Sequence, residues 1–85
     1  MKTKEAVERL RLLANTIEEL EIDNIINCDI EKPSCHLIKL KLTNADPIWK
    51  ERHCLSYPWE KSFTYNNIRF YALYSQEEYD KEKSV

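Results

Sequence analysis

No glycine occurs among the 85 residues, so a turn that requires positive φ must take it from another residue type. Asn accepts that conformation more readily than any other non-glycine residue. Asn66-Asn67 is therefore the clearest turn in the chain, and the residues beside it, Ser62 to Tyr74, hold both Phe and three of the five Tyr. A two-residue loop with both φ angles positive predicts a β-hairpin in which Tyr65 faces Ile68, Thr64 faces Arg69 and Phe63 faces Phe70. Strand alternation then gathers Phe63, Tyr65, Ile68, Phe70, Ala72 and Tyr74 on a core face. Thr64, Arg69, Tyr71 and Leu73 fall on the other.

Upstream, Ala6, Leu10, Leu13, Ile17 and Leu20, with Val7 and Ala14 beside them, repeat at spacings of three and four. They predict an amphipathic helix from Lys4 to about Glu21 with Thr3 as N-cap. Asp23-Asn24 ends it. Ile25 to Ile30 and His36 to Leu42 alternate as strands, and a three-residue loop Lys32-Pro33-Ser34 pairs Ile30 with His36, Cys28 with Ile38 and Ile26 with Leu40. That register keeps Lys39 and Lys41 out of the core. Residues 47–56 admit two readings. Asp46-Pro47 is a helix-start signal and favours a short helix; the rival is a strand in which Trp49, Glu51, His53 and Leu55 alternate. Tyr57-Pro58-Trp59 reads as a loop. Ser75 and Glu78 form a capping box opening a polar, peripheral helix from Gln76 to about Lys83. The expected fold is α+β: a small antiparallel sheet of about four strands in two hairpins, packed on the N-terminal helix. Residues 1–85 are expected to form one domain.

A chain this short removes only about 60 to 65 per cent of its unfolded surface from water, and it leaves little room for a pocket of several hundred Å3. Without glycine there is no phosphate-cradling loop, nucleophile elbow or dinucleotide fingerprint. The expectation is a protein that is not an enzyme and carries no cofactor. No apolar run approaches the roughly 18 residues of a membrane span, and Met1-Lys2-Thr3 leads into the helix pattern without a signal-peptide core, so a cytoplasmic location is expected. Three cysteines, Cys28, Cys35 and Cys54, read as thiols in a reducing compartment. Cys35-His36 and His53-Cys54, with Cys28, are zinc-ligand types. Neighbours in a strand point to opposite faces, however, and no knuckle spacing is present, so no metal is expected.

The charge pattern points to surfaces. Between Leu12 and Glu31 lie six acids and no Lys or Arg, and Glu18, Glu19, Glu21 and Asp23 crowd the helix C-terminus, where the dipole disfavours carboxylates. A partner with a basic surface would turn that penalty into attraction. Trp49, Tyr57 and Trp59, residue types that anchor interfaces, are the candidate aromatic complement. The alternative is a nucleic-acid-binding sheet face built from Lys39, Lys41, Arg69 and Tyr71, although no glycine-aromatic strand motif accompanies it. A homodimer through a sheet edge or the aromatic loop suits so small a core. In being small, glycine-free and rich in Lys, Ile, Asn, Glu and Tyr, the chain resembles in composition the accessory proteins of bacteriophages and mobile elements that bind and inhibit a host protein. That resemblance implies an inhibitor or regulator of anti-defence type, acting in the host cytoplasm.

Overall fold

The chain begins with helix α1 (Thr3–Glu19) and continues through strands β1 (Ile25–Asp29), β2 (Ser34–Leu37), β3 (Ile48–Glu51), β4 (Trp59–Tyr65) and β5 (Ile68–Tyr74) to helix α2 (Gln76–Lys83). The computed structural model describes residues 1–41 and 46–84. The strands form one sheet in the order β1-β2-β5-β4-β3. The fold is α+β, with five strands where about four are expected, and the sheet is mixed, because β2 and β5 run parallel. A parallel neighbour requires a crossover. Here β3 and β4 are part of that connection: the chain leaves β2, reaches the far edge as β3, and returns through β4 to lay β5 beside β2.

The aromatic hairpin forms in the expected register. Asn66 and Asn67 adopt φ of 53° and 62°, and Tyr65 pairs with Ile68, Thr64 with Arg69 and Phe63 with Phe70. Ile68, Phe70, Ala72 and Tyr74 are buried, and Phe63 packs against them. The pairing continues to Trp59 and Tyr74, so Trp59 belongs to β4 and not to a loop.

The first hairpin departs from expectation. Asp29 pairs with Ser34, Cys28 with Cys35 and Asn27 with His36, and a bulge lies between Ile25 and Asn27. Residues 30–33 make the turn, not residues 32–34, because Asp29 Oδ1 accepts the Glu31 amide at 2.8 Å and the Arg9 guanidinium donates to the Ile30 and Glu31 carbonyls at 2.8 and 3.0 Å. Pairing sums that change by an odd number exchange the faces of one strand relative to the other. Cys35 and Leu37 are therefore buried while His36 turns outward. Leu40 is buried as expected, Ile38 is exposed, and the expected inward Leu42 lies outside the described residues.

Residues 48–51 are a strand, which overturns the favoured helix. β4 offers an open edge there, with Trp49 opposite Lys61 and Glu51 opposite Trp59; ladder bonds and packing of Trp49 outweigh the local start signal at Asp46-Pro47. Helix α1 has Lys2 as its N-cap, without a side-chain bond, so Thr3 is inside the helix and caps nothing. Its buried residues are Leu13 and Thr16, whereas Leu10 is 50% exposed. A polar contact to the hairpin turn accompanies this rotation: Thr16 Oγ1 accepts from Asn66 Nδ2 at 3.2 Å, while its own proton goes to the Leu12 carbonyl within the helix at 2.7 Å.

The end of α1 takes a Schellman arrangement, with the Ile22 amide on the Ile17 carbonyl and the Glu21 amide on the Glu18 carbonyl at 3.1 and 3.2 Å. Its left-handed position, ordinarily glycine, is Glu21 at φ 54°. Helix α2 opens on the expected capping box, the Glu78 amide donating to Ser75 Oγ and the Ser75 amide to Glu78 Oε1 at 3.2 and 3.0 Å. It is not peripheral. Tyr79 stacks on Trp59 at 3.8 Å and meets Trp49 edge-on at 4.9 Å, and Lys39 and Lys61 form ion pairs with Glu78 and Glu82.

Candidate protein interface

Register decides which side of the sheet is covered. Cys35, Leu37, Trp49, Lys61, Phe63, Phe70 and Tyr74 share the face that meets α1, residues 38–41 and α2. His36, Glu60, Ser62, Arg69, Tyr71 and Leu73 share the opposite face, which neither helix covers.

At the C-terminal end of α1 the chain turns back over the covered face and leaves a cleft of about 1020 Å3. This is larger than the chain length suggests because it is an open trough between elements, not an enclosed cavity. Leu20, Ile22, Leu37 and Phe63 supply apolar lining; Glu19, Glu21, Asp23 and Asp46 supply acids, and Lys39 and Lys41 supply bases. The four acids expected to act together, Glu18, Glu19, Glu21 and Asp23, are all exposed, and three of them line this cleft. The basic residues that usually close a helix are missing from the last turn of α1. Glu19 Oε1 accepts the Tyr65 hydroxyl at 2.6 Å. That bond and the carboxylate charge push the Tyr65 phenol above its ordinary range.

The aromatic half of the expected surface lies elsewhere. Trp49 and Trp59 do not line the cleft; they are half-buried in a cluster with Tyr74 and Tyr79, and Trp49 meets Tyr74 edge-on at 5.1 Å. Trp59 Nε1 donates to Gln76 Oε1 at 3.0 Å. Lys61 Nζ enters the same cluster, 5.4 Å from the Trp49 ring and 5.8 Å from that of Tyr74. Tyr57, in the connection between β3 and β4, is exposed.

The four residues of the alternative surface are divided between the two sides. Arg69 and Tyr71 are together on the open face, where Arg69 lies 4.6 Å from the Tyr71 ring and His36 stacks on it at 4.7 Å. Arg69 is ion-paired with Glu60. Lys41 lines the cleft with Lys39, whose Nζ lies 4.6 Å from the Tyr74 ring. Burial lowers the Lys39 pKa, the Glu82 carboxylate works against that shift and Lys41 adds to it.

The cysteines fall into two places. Cys28 Sγ and Cys35 Sγ are 2.7 Å apart across β1 and β2, with Cys35 buried and Cys28 exposed. Cys54 is at the other edge, in the connection from β3 to β4. Backbone amides of Tyr57 and Ser56 lower its thiol pKa. Among the described residues no three His, Cys, Asp or Glu side chains are placed to hold a metal ion, and no helix is long and apolar enough to cross a membrane.

The acids are legible in the sequence, but what they surround is not. Leu37 and Phe63 enter the cleft through the register of the sheet, and Lys39 and Lys41 through the crossover. Neither has a local signal. The approach of Cys28 to Cys35 likewise depends on the four-residue turn, for which Asp29 was the one available clue.

No family model matches the chain, and no curated protein or solved structure shows significant similarity to it.

Proposed function

We propose that this chain is a non-enzymatic protein-binding module that takes a basic segment of a partner protein at the C-terminal end of α1. The observation that carries this reading is the placement of exposed Glu19, Glu21 and Asp23 around an open cleft with apolar lining from Leu20, Ile22, Leu37 and Phe63. Carboxylates at that helix end are opposed by the dipole, each by a few tenths of a kcal/mol when exposed. A Lys- or Arg-bearing segment would relieve that repulsion while its aliphatic stems cover the apolar lining. Glu18 extends the same acidic edge. Trp49 and Trp59 act in this reading as supports for the β3 edge, with exposed Tyr57 beside them.

The composition extends the proposal to an inhibitor or regulator of a host protein, of bacteriophage or mobile-element origin and working in the host cytoplasm. Capture of partners from lysate of the natural host, followed by affinity measurement on each purified candidate, is the direct test. The variant with Glu18, Glu19 and Glu21 all changed to Gln is expected to bind at least about tenfold more weakly, with a flatter salt dependence. Equal affinity and equal salt dependence for both chains would exclude this surface. Single-stranded oligonucleotide binding at low salt, lost on Arg69→Ala and Tyr71→Ala, would favour the open sheet face in its place.

A further inference from the structure

We propose that Cys28 and Cys35 are a redox pair that closes into a reversible disulfide and locks the edge strand β1 to β2. They are direct partners in an antiparallel ladder, where facing Cα atoms lie about 4.5–5.5 Å apart, inside the span a disulfide bridges. Their sulfurs are 2.7 Å apart, near the about 2.05 Å of a disulfide bond. Cys54 is near β3, the opposite edge of the five-stranded sheet, and does not compete within the chain.

The two thiols have unequal access, and that sets the order of events. Cys28 is exposed and Cys35 is fully buried. With a low-molecular-weight disulfide such as oxidised glutathione as the oxidant, the Cys28 thiolate attacks one sulfur, forming a mixed disulfide and releasing one glutathione thiolate. The Cys35 thiolate then attacks the Cys28 sulfur, forming the Cys28–Cys35 bond and releasing the second glutathione. Two protein thiols are oxidised and one glutathione disulfide is reduced to two thiols, the two released glutathione thiolates taking up, through solvent, the two protons the protein thiols give up. Burial, the bond from Cys28 and the Cys28 charge push the Cys35 thiol up to about 12.

Closure matters most for β1. All five of its residues are exposed, its ladder is interrupted between Ile25 and Asn27, and it has a neighbour on one side only. Such a strand opens locally more easily than the central ones.

The test is equilibration of the purified Cys54→Ser chain in glutathione buffers of graded redox ratio, with acid quenching, alkylation and mass spectrometry. The expected product is about 2 Da lighter than the reduced chain, with the Cys28 and Cys35 peptides linked. In the same buffers C35S should retain glutathione on Cys28, and C28S should stay unmodified at Cys35. The oxidised form should melt at least about 5 °C above the reduced one. A chain that keeps both thiols across buffers that glutathionylate C35S, or that accumulates glutathione on Cys28 beside a free Cys35, would overturn the pairing. Equal melting temperatures would overturn the lock.

Discussion

The Leu40 amide donates to the Tyr74 hydroxyl at 2.9 Å, fastening the segment that leaves β2 to the end of β5. Lys61 Nζ reaches the carbonyl of the same residue at 3.1 Å. The covered face of the sheet thus includes a stretch of irregular chain whose backbone groups are satisfied by side chains, as burial requires.

Tyr74→Phe keeps the ring and removes the acceptor. Leaving the Leu40 amide buried without a partner is expected to cost about 1–3 kcal/mol. Urea unfolding should show it, whereas Tyr71→Phe, on the open face, should stay within about 0.5 kcal/mol of the parent. Equal midpoints for the two variants would contradict the role given to Tyr74.

Glu21 occupies a left-handed position in a chain that has no glycine. Glu21→Gly should raise stability by about 0.5–1 kcal/mol through relief of backbone strain and of like charge near Glu18 and Asp23. Glu21→Val should lower it, since a β-branched residue is poorly tolerated at positive φ. Thermal unfolding of the two variants checks both signs.

Tyr79 is the aromatic hold on α2. Tyr79→Ala removes one stacked and one edge-on contact, each contributing about 0.5–1.5 kcal/mol beyond area burial. The expected result is a loss of about 2–3 kcal/mol, with reduced helical circular dichroism and a red shift in Trp emission. Tyr79→Phe should preserve all three readouts.

Stability should fall in alkali. Burial, with the Cys28 sulfur beside it, raises the pKa of Cys35 from 9.0 to about 12, and burial raises that of Tyr74 above 10.0. The folded chain therefore holds these protons more tightly than the unfolded one. Their contribution is complete below the unfolded pKa values and is lost as pH rises from about 9 toward 12. Lys39 acts in the opposite sense, because its folded pKa lies below 10.5 and its penalty is relieved as pH rises. Two buried acids outweigh one partly exposed base, so the melting temperature under reducing conditions should decline above about pH 9. Cys35→Ala should delay the decline until Tyr74 titrates, and a flat profile from pH 7 to 11 would refute the assignment.

Much of this fold is local and could be read residue by residue. Asn66-Asn67, in a chain without glycine, specified its turn, its register and the sidedness of β5, because left-handed turn geometry and strand alternation act within a few residues. The Ser75–Glu78 box specified the start of α2 for the same reason, and the helical period of Leu13, Ile17 and Leu20 specified α1. The tertiary structure decided what depends on distant partners. Trp49 became a strand residue because β4 had an unfilled edge, β2 turned Cys35 inward because Arg9 and Asp29 held a four-residue turn, and α1 turned Leu10 outward with Thr16 at Asn66. Such choices rest on contacts between residues far apart in sequence, whose energies outweigh local preferences of a few tenths of a kcal/mol. For the candidate interface the acids were legible, since charge is a property of the residue. Their cleft was not, because a concave surface exists only once α1, the crossover and the sheet have been brought together.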